Sequence, residues 1–374
     1  MYDDREPHYL YVNPLRPIIK NPYSPEWDIA YLREHYPGIF PKQISAYIDP
    51  FLGDGDMYFH IGCRDKRVND YSMELIELYY LVKNRDKEFL SIIGNMTDLW
   101  SILGDLADQE SLRLYIAGDD EGLARKIYTH RGTIYDSLFT REASENLIFG
   151  MQLTVVAGAR RLRRIEYHND IEDDERLLYL TAAFRAGIYN HVRTVYNSIS
   201  GRLGTLRTAC YYFLRRYSYK GIFRQNHMRH FTTPFAGVAA NSLVPDIDID
   251  YWYNSDLTWQ LTTTTFESAN CLDFLMNEDL VNDDFIFLDP PHPYRSKAFS
   301  EFPFTMQDHE RLADWLIDNC KCQWLLLLKP SRVIESLYWK GKSRGIHFNY
   351  FTKGFRIRKN FMDYETKHVL IKNY

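Results

Sequence analysis

Residues 44–55 read Ile44-Ser-Ala-Tyr-Ile-Asp49-Pro50-Phe51-Leu-Gly53-Asp-Gly55. An apolar run of strand length ends in an acid, and two glycines two apart follow at once. Short runs that are apolar through their length suit parallel strands buried on both faces. The paired glycines make a tight turn where backbone can approach a ligand closely. Twenty-one residues after Asp49 comes Asp70, at the expected end of the next strand. An acid near that offset can accept hydrogen bonds from both ribose hydroxyls of a nucleoside. A third glycine in the GxGxxG pattern is absent, so a nicotinamide dinucleotide is not favoured.

Two further apolar runs end in chemistry. Phe285-Ile-Phe-Leu-Asp289 is followed by Pro290-Pro291-His292, and Gln323-Trp-Leu-Leu-Leu-Leu328 by Lys329-Pro330-Ser331. His368-Val-Leu-Ile371 reads as a fourth strand. Helices lie between them. Met73 to Lys83 is apolar densely enough to pack on a sheet, and Thr305 with Asp308 reads as a capping-box variant opening a helix. Strand, glycine turn, helix and strand make the α/β pattern, whose ligands sit beyond the carboxyl ends of strands. Residues 96–200 instead read as mostly helical, punctuated by acidic turns at Gly118–Gly122 and Asp170–Glu175. The expected organisation is therefore a discontinuous α/β domain, 1–84 with 258–374, interrupted by a helical domain, 85–257.

The Asp289-Pro290-Pro291 turn has its own logic. Two prolines have fixed φ and no N–H, so the turn presents carbonyl oxygens beside a carboxylate. That arrangement accepts hydrogen bonds from an amino group and can hold an exocyclic NH2 while its lone pair attacks a methyl group.

Taken in order, these motifs resemble the Dam-like (class alpha) DNA adenine-N6 methyltransferases. The matching residues are the cofactor loop Asp49-Pro50-Phe51-Leu-Gly53-Asp-Gly55, then Asp70, then Asp289-Pro290-Pro291. Tyr219-Lys220-Gly-Ile-Phe-Arg224-Gln225-Asn226, followed by Phe231-Thr-Thr-Pro-Phe235, is similar to the family's recognition hairpin. Cys271-Leu-Asp273-Phe274 matches its acid-Phe pair, and Phe304-Thr305 with Glu310-Arg311-Leu312 matches its following helix. Residues about 96–190 have no counterpart.

The resemblance implies a Rossmann-like sheet using S-adenosylmethionine (SAM), with an inserted, mainly helical DNA-recognition domain. It implies that Asp289 and the Pro290 carbonyl hold the adenine amino group, with Pro291 shaping the turn. His292, aided by Tyr294, would hold the plane of the flipped base. Asp70 would take the ribose hydroxyls of SAM, and Asp273 with Phe274 its adenine. Asp49, Pro50, Phe51, Gly53 and Gly55 would shape its methionine end, and Lys20 would contact the same region. No metal is implied. Three departures stand out: His292 replaces the usual Tyr, Pro17-Ile-Ile-Lys20 lacks two glycines, and Lys329-Pro-Ser331 replaces a Ser-Asn. A catalytically impaired DNA-binding protein on the same fold and an RNA-directed methyltransferase remain as alternatives.

Charge sharpens the partner. The 374-residue chain carries a net −5. From Arg176 to Pro245 there is no acid and there are ten Lys/Arg, and the last 46 residues carry +8, which leaves −23 for the rest. Such segregation fits a polyanion-facing surface. Lys220, Arg224, Gln225, Asn226 and Arg229 are the expected DNA readers: Gln and Asn for adenine edges, Arg for guanine. Arg202, Arg207, Arg215 and Arg216 are expected on phosphates. Tyr211, Tyr212 and Phe213 are expected in the core. The cluster Arg160-Arg161-Leu-Arg163-Arg164 reads equally as a solvated face. No apolar run reaches membrane-helix length, and the N-terminus has no signal-peptide pattern. Five cysteines, with Cys320 and Cys322 one residue apart, point to thiols in a reducing compartment rather than a disulfide framework or zinc site. The expectation is an intracellular monomer or weak dimer acting on DNA in a restriction–modification setting.

Overall fold

The computed structural model describes residues 15–19, 29–36, 38–140, 145–199, 203–243, 246–291, 304–356 and 363–374. Lys20, Arg202, His292 and Tyr294 lie outside them. The chain divides into two compact units, Met1–Lys83 with Trp252–Tyr374, and Asn84–Tyr251. The return to the first unit comes before the expected residue 258. The helix Ser255–Thr262 leads directly into a strand, and Trp252 is already buried.

The first unit holds a seven-stranded sheet. Its strands are β1 (Ala46–Asp49), β2 (Asp65–Asn69), β3 (Thr264–Glu267), β4 (Phe285–Leu288), β5 (Gln323–Leu328), β6 (His347–Arg356) and β7 (Asp363–Lys372). The order across the sheet is β3-β2-β1-β4-β5-β7-β6. β1 to β5 pair in parallel, while β7 runs antiparallel to both β5 and β6. β1 and β4 are buried at every residue, as continuous apolar runs require. Ile48, Ile286, Trp324, Leu326, Val369 and Ile371 join one core across four of these strands. The mixed α/β sheet has the Rossmann-like methyltransferase fold that the sequence implies. The winding reverses at the β1/β4 pair, and the crevice beyond those strand ends is where such sheets hold ligands.

Helices cover the sheet as their apolar faces dictate. Met73–Lys83 buries Leu75, Leu78, Tyr79 and Val82. Its Tyr79 ring stacks on Phe266 of β3 at 5.2 Å, and the Lys83 ammonium donates to the Thr264 carbonyl (2.9 Å). Met306–Asp318 opens on a full capping box between Thr305 and Asp308.

The second unit is helical. Both acidic turns are helix starts: Asp119 caps Asp120–Thr129 by accepting a backbone N–H, and Glu172 precedes Asp173–Ser198 without a side-chain cap bond. Asp86 and Asp108 cap two further helices in the same way as Asp119. The longest helices, Glu145–Glu166 and Asp173–Ser198, pack closely. A Cβ on Gly158 would lie 2.3 Å from that of Ala183, so only glycine fits there. Arg160 and Arg163 both bind Asp120 on the helix Asp120–Thr129 (3.1 and 2.7 Å). That half of the basic cluster ties two helices together. Among the described residues no helix is long and apolar enough to cross a membrane.

Candidate active site

Beyond β1 the chain turns sharply. Gly53 and Gly55 both have left-handed φ (+51° and +75°). A Cβ on Gly55 would meet Phe59 and the Tyr79 hydroxyl at 2.9 Å. Gly53 N–H donates to Asp70 Oδ2 (2.9 Å), and Ser72 N–H donates to Asp70 Oδ1 (2.8 Å). Asp70 thus joins the turn after β1 to the end of β2.

Asn69, beside it, escaped the sequence reading. It is buried, its Nδ2 donates to the Pro50 and Ala269 carbonyls (both 3.1 Å), and its Oδ1 accepts from Ala269 N–H (2.8 Å). One side chain therefore clips the loops after β1 and β3 together. An Asn closing a strand of alternating burial was the only available signal.

A cavity of about 340 Å³ opens at these strand ends, within the usual range for small-molecule sites. Pro50, Phe51 and Gly53 line it from β1, Asn69, Asp70 and Tyr71 from β2. Asn270 and Cys271 line it after β3, and Asp289 and Pro291 after β4. Phe304 and Asp308 complete the wall. The structure therefore brings Pro50, Phe51, Gly53, Asp70, Asp289 and Pro291 to one recess. Pro290 is buried between two of them.

Asp273 and Phe274 are not among the lining residues. The helix Cys271–Asn277 starts with Asn270 as its N-cap, which puts Asp273 on an exposed face and Phe274 in the core. Asn270 and Cys271, the N-cap and first residue of that helix, take the place expected for that pair.

Asp49 and Gly55 are not lining residues either; Asp49 closes β1 beside the lining Pro50 and is only 2% exposed. Its carboxylate accepts from Tyr47 Oη (2.8 Å) and Phe51 N–H (3.0 Å). Burial nevertheless pushes its pKa up to about 7, and the charges of Asp289 and Asp70 push the same way. Three carboxylates thus share one field, which favours a cation. The unfolded carboxyl ionises near 3.8. The folded pKa is raised, so Asp49 contributes full stability below pH 4 and loses it as pH climbs to about 7. A three-unit shift corresponds to about 4 kcal/mol. Urea unfolding of wild type and Asp49→Asn at pH 4 and pH 8 should show the variant gaining by several kcal/mol, about 2–4, at the higher pH. An equal gap at both pH values would contradict this.

The hairpin expected to read DNA lies in the second unit. It is pinned by antiparallel bridges Ser218↔Phe235 and Gln225↔Phe231. Phe223 packs inside it against Tyr211 (4.8 Å) and Phe231 (4.7 Å). Tyr211, Tyr212 and Phe213 are buried, as their spacing predicts. Lys220, Arg224 and Arg229 are exposed, and Lys220 and Arg229 have left-handed φ (56° and 61°). Gln225 turns its amide inward, donating to Tyr196 Oη (3.1 Å). Asn226 Oδ1 accepts from Met228 and His230 N–H (both 3.0 Å), which shapes the tip.

The neighbouring arginines differ from expectation. Arg207 donates to Tyr196 Oη (2.8 Å), Arg215 to Tyr211 Oη (3.0 Å) and Arg216 to the Asp246 carbonyl (3.3 Å). Arg207 and Arg216 thereby tie the helix Thr205–Tyr217 to its surroundings, and Arg215 bonds a tyrosine one turn back on the same helix. In the C-terminal basic tract, Lys340 pairs with Asp314 and Arg344 with Asp318.

No family model matches the chain. It is 25% identical over 167 residues to the Type II methyltransferase M.CviBI of Paramecium bursaria Chlorella virus NC1A, covering 44% of this chain and 60% of that protein. Over 64 residues it is 25% identical to the Type II methyltransferase M1.LlaDCHI of Lactococcus lactis subsp. cremoris, covering 17% of this chain and 22% of that one. The matches thus span less than two thirds of either relative. This distant likeness, together with the sheet, supports a methyltransferase family for the chain.

Proposed function

We propose that this protein is a SAM-dependent methyltransferase that modifies the N6 amino group of adenine in DNA. The observation that carries the reading is the shared cavity. It unites the glycine turn after β1, Asp70 after β2, Asn270 after β3 and the Asp289-Pro290-Pro291 turn after β4. The relatives' names support the reaction class.

The residues present fit SAM. The recess gathers the fields of Asp49, Asp70 and Asp289, which suits a ligand bearing a sulfonium and an ammonium. When bound, SAM supplies an electrophilic methyl group. The chain's own residues do the rest. Asp70, whose carboxylate accepts from Gly53 and Ser72 N–H, is the acceptor for the ribose hydroxyls. Tyr71 and Asn270, which line the cavity, would hold the adenine moiety of SAM. Asp289 accepts one N–H of the target amino group, and the Pro290 carbonyl accepts the other. Those two acceptors aim the nitrogen lone pair, so catalysis is mainly orientation. His292 and Tyr294 hold the target base once it is out of the stack.

Lys220, Arg224 and Arg229 provide the exposed positive charge for the phosphates and for guanine edges. Gln225 and Asn226 act first as parts of the hairpin's frame, leaving the Asn226 amide N–H2 free of that frame to read a base.

The test is transfer of a tritiated methyl from SAM to duplex DNA, single-stranded DNA and RNA in parallel. Label in DNA is the expected result. Label in RNA alone would move the substrate class, and SAM binding without transfer to any nucleic acid would overturn the enzyme reading.

A further inference from the structure

Resting on that reading, the geometry points to His309 as a positioning residue for the Asp289-Pro290-Pro291 turn. β4 ends at Leu288, so the sheet no longer holds the chain beyond it. Pro290 and Pro291 have no N–H, so the backbone of these two residues can be hydrogen-bonded only through its carbonyls. A donor must come from elsewhere, and His309 supplies it. Its Nε2–H donates to the Pro291 carbonyl at 3.1 Å, and the residue is 0% exposed.

His309 belongs to the helix Met306–Asp318, whose start is fixed by the Thr305–Asp308 capping box. Its ring meets Phe304 edge-on at 4.6 Å, and Phe304 meets Phe51 edge-on at 5.3 Å. Phe51 N–H in turn donates to Asp49. A continuous line of contacts thus runs from the base of the cofactor loop, through two rings and an imidazole, to the catalytic turn. Phe51, Phe304 and Pro291 all line the cavity. A ligand pressing on the first two rings therefore bears on the element that fixes the third. His309 touches no substrate in this arrangement; it sets where Asp289 and the Pro290 carbonyl stand.

Two substitutions separate the ring from its donor. His309→Phe keeps a ring against Phe304 and removes the N–H. His309→Gln keeps an amide N–H at similar reach. Displacement of an orienting group by a fraction of an ångström to one ångström costs up to about a hundredfold in rate. The full-length His309→Phe protein is therefore expected to lose about 10- to 100-fold in kcat for methyl transfer to DNA. Its SAM Kd, read by calorimetry, should stay within about twofold, because the cavity-lining groups are intact. His309→Gln should recover kcat to within about threefold of wild type, since the hydrogen bond is restored. Independently, 15N NMR of the wild-type imidazole should show the Nε2–H tautomer.

Wild-type kcat in His309→Phe, or failure of Gln to exceed Phe, would overturn the role. An Nδ1–H tautomer would overturn it even if the Phe variant fails to fold. A wild type that binds SAM, shows the Nε2–H tautomer and transfers no methyl would overturn the enzyme reading instead, and the positioning role with it.

Discussion

Asp289→Ala is expected to lower methyl transfer by about a hundred- to a thousandfold, the usual cost of deleting one preorganised polar contact to a reacting group. Asp289 stands just past β4, half-buried at the cavity rim, next to a buried proline. Its carboxylate is the strongest acceptor available to an amino group there, and alanine leaves only the Pro290 carbonyl. The loss should fall on kcat, with SAM binding changed little, because Asp70 and the glycine turn stay in place. Single-turnover transfer of labelled methyl to DNA, with SAM affinity measured alongside, checks both halves. A variant retaining more than a tenth of wild-type kcat would show that Asp289 does not hold the amino group.

The second large effect concerns the hairpin. Replacing Lys220, Arg224 and Arg229 together by alanine removes three exposed cations from one short element. Arg contacts to guanine are worth about 1–3 kcal/mol each, and each lost phosphate contact lowers the salt slope by about one. The triple variant should therefore bind DNA about a hundred- to ten-thousandfold more weakly, with a visibly shallower dependence on salt. Arg207→Ala, by contrast, should reduce stability through the lost Tyr196 contact and leave the salt slope unchanged. Fluorescence anisotropy from 50 to 300 mM salt separates the two. An unchanged slope in the triple variant would remove the hairpin from the DNA surface.

Much of the fold was legible in the sequence where one physical rule governed the residues. β1, β4 and β5 are strands buried on both faces, so they stand out as apolar runs. β3 did not stand out: its Thr-Thr-Phe-Glu alternates buried and exposed at the sheet's edge, and four alternating residues make a weak signal. β2 begins with Asp-Lys-Arg and hides its strand character until Val68 and Asn69. The cavity residues were legible where the chain carried turn chemistry, as at Gly53, Asp70 and Asp289. They were not where the role depends on a helix start. Whether Asn270 or Asp273 faces the cavity is decided by which residue caps Cys271–Asn277, and a three-residue offset reverses the answer.

Charge was legible as segregated tracts but not residue by residue. The acid-free run suggested a polyanion-facing surface. In the structure Arg207, Arg215 and Arg216 serve tyrosines and a backbone carbonyl, and Arg176 pairs with Glu166 and Asp173. Guanidinium groups cover aromatic rings as readily as they face phosphates, and composition does not distinguish the two. Among the described residues of that run, the exposed Lys and Arg side chains are on the hairpin. His309 was missed for a related reason: a buried histidine in an amphipathic helix has no signature until its carbonyl partner is known.

The central claim is tested most directly by the identity of the modified nucleoside. DNA incubated with the protein and SAM carrying a deuterated methyl group is digested to nucleosides and examined by mass spectrometry. The account predicts deuterated N6-methyladenine, absent when Asp289→Ala replaces the wild type. Label on cytosine alone, or no labelled nucleoside from a protein that binds both SAM and DNA, would contradict it.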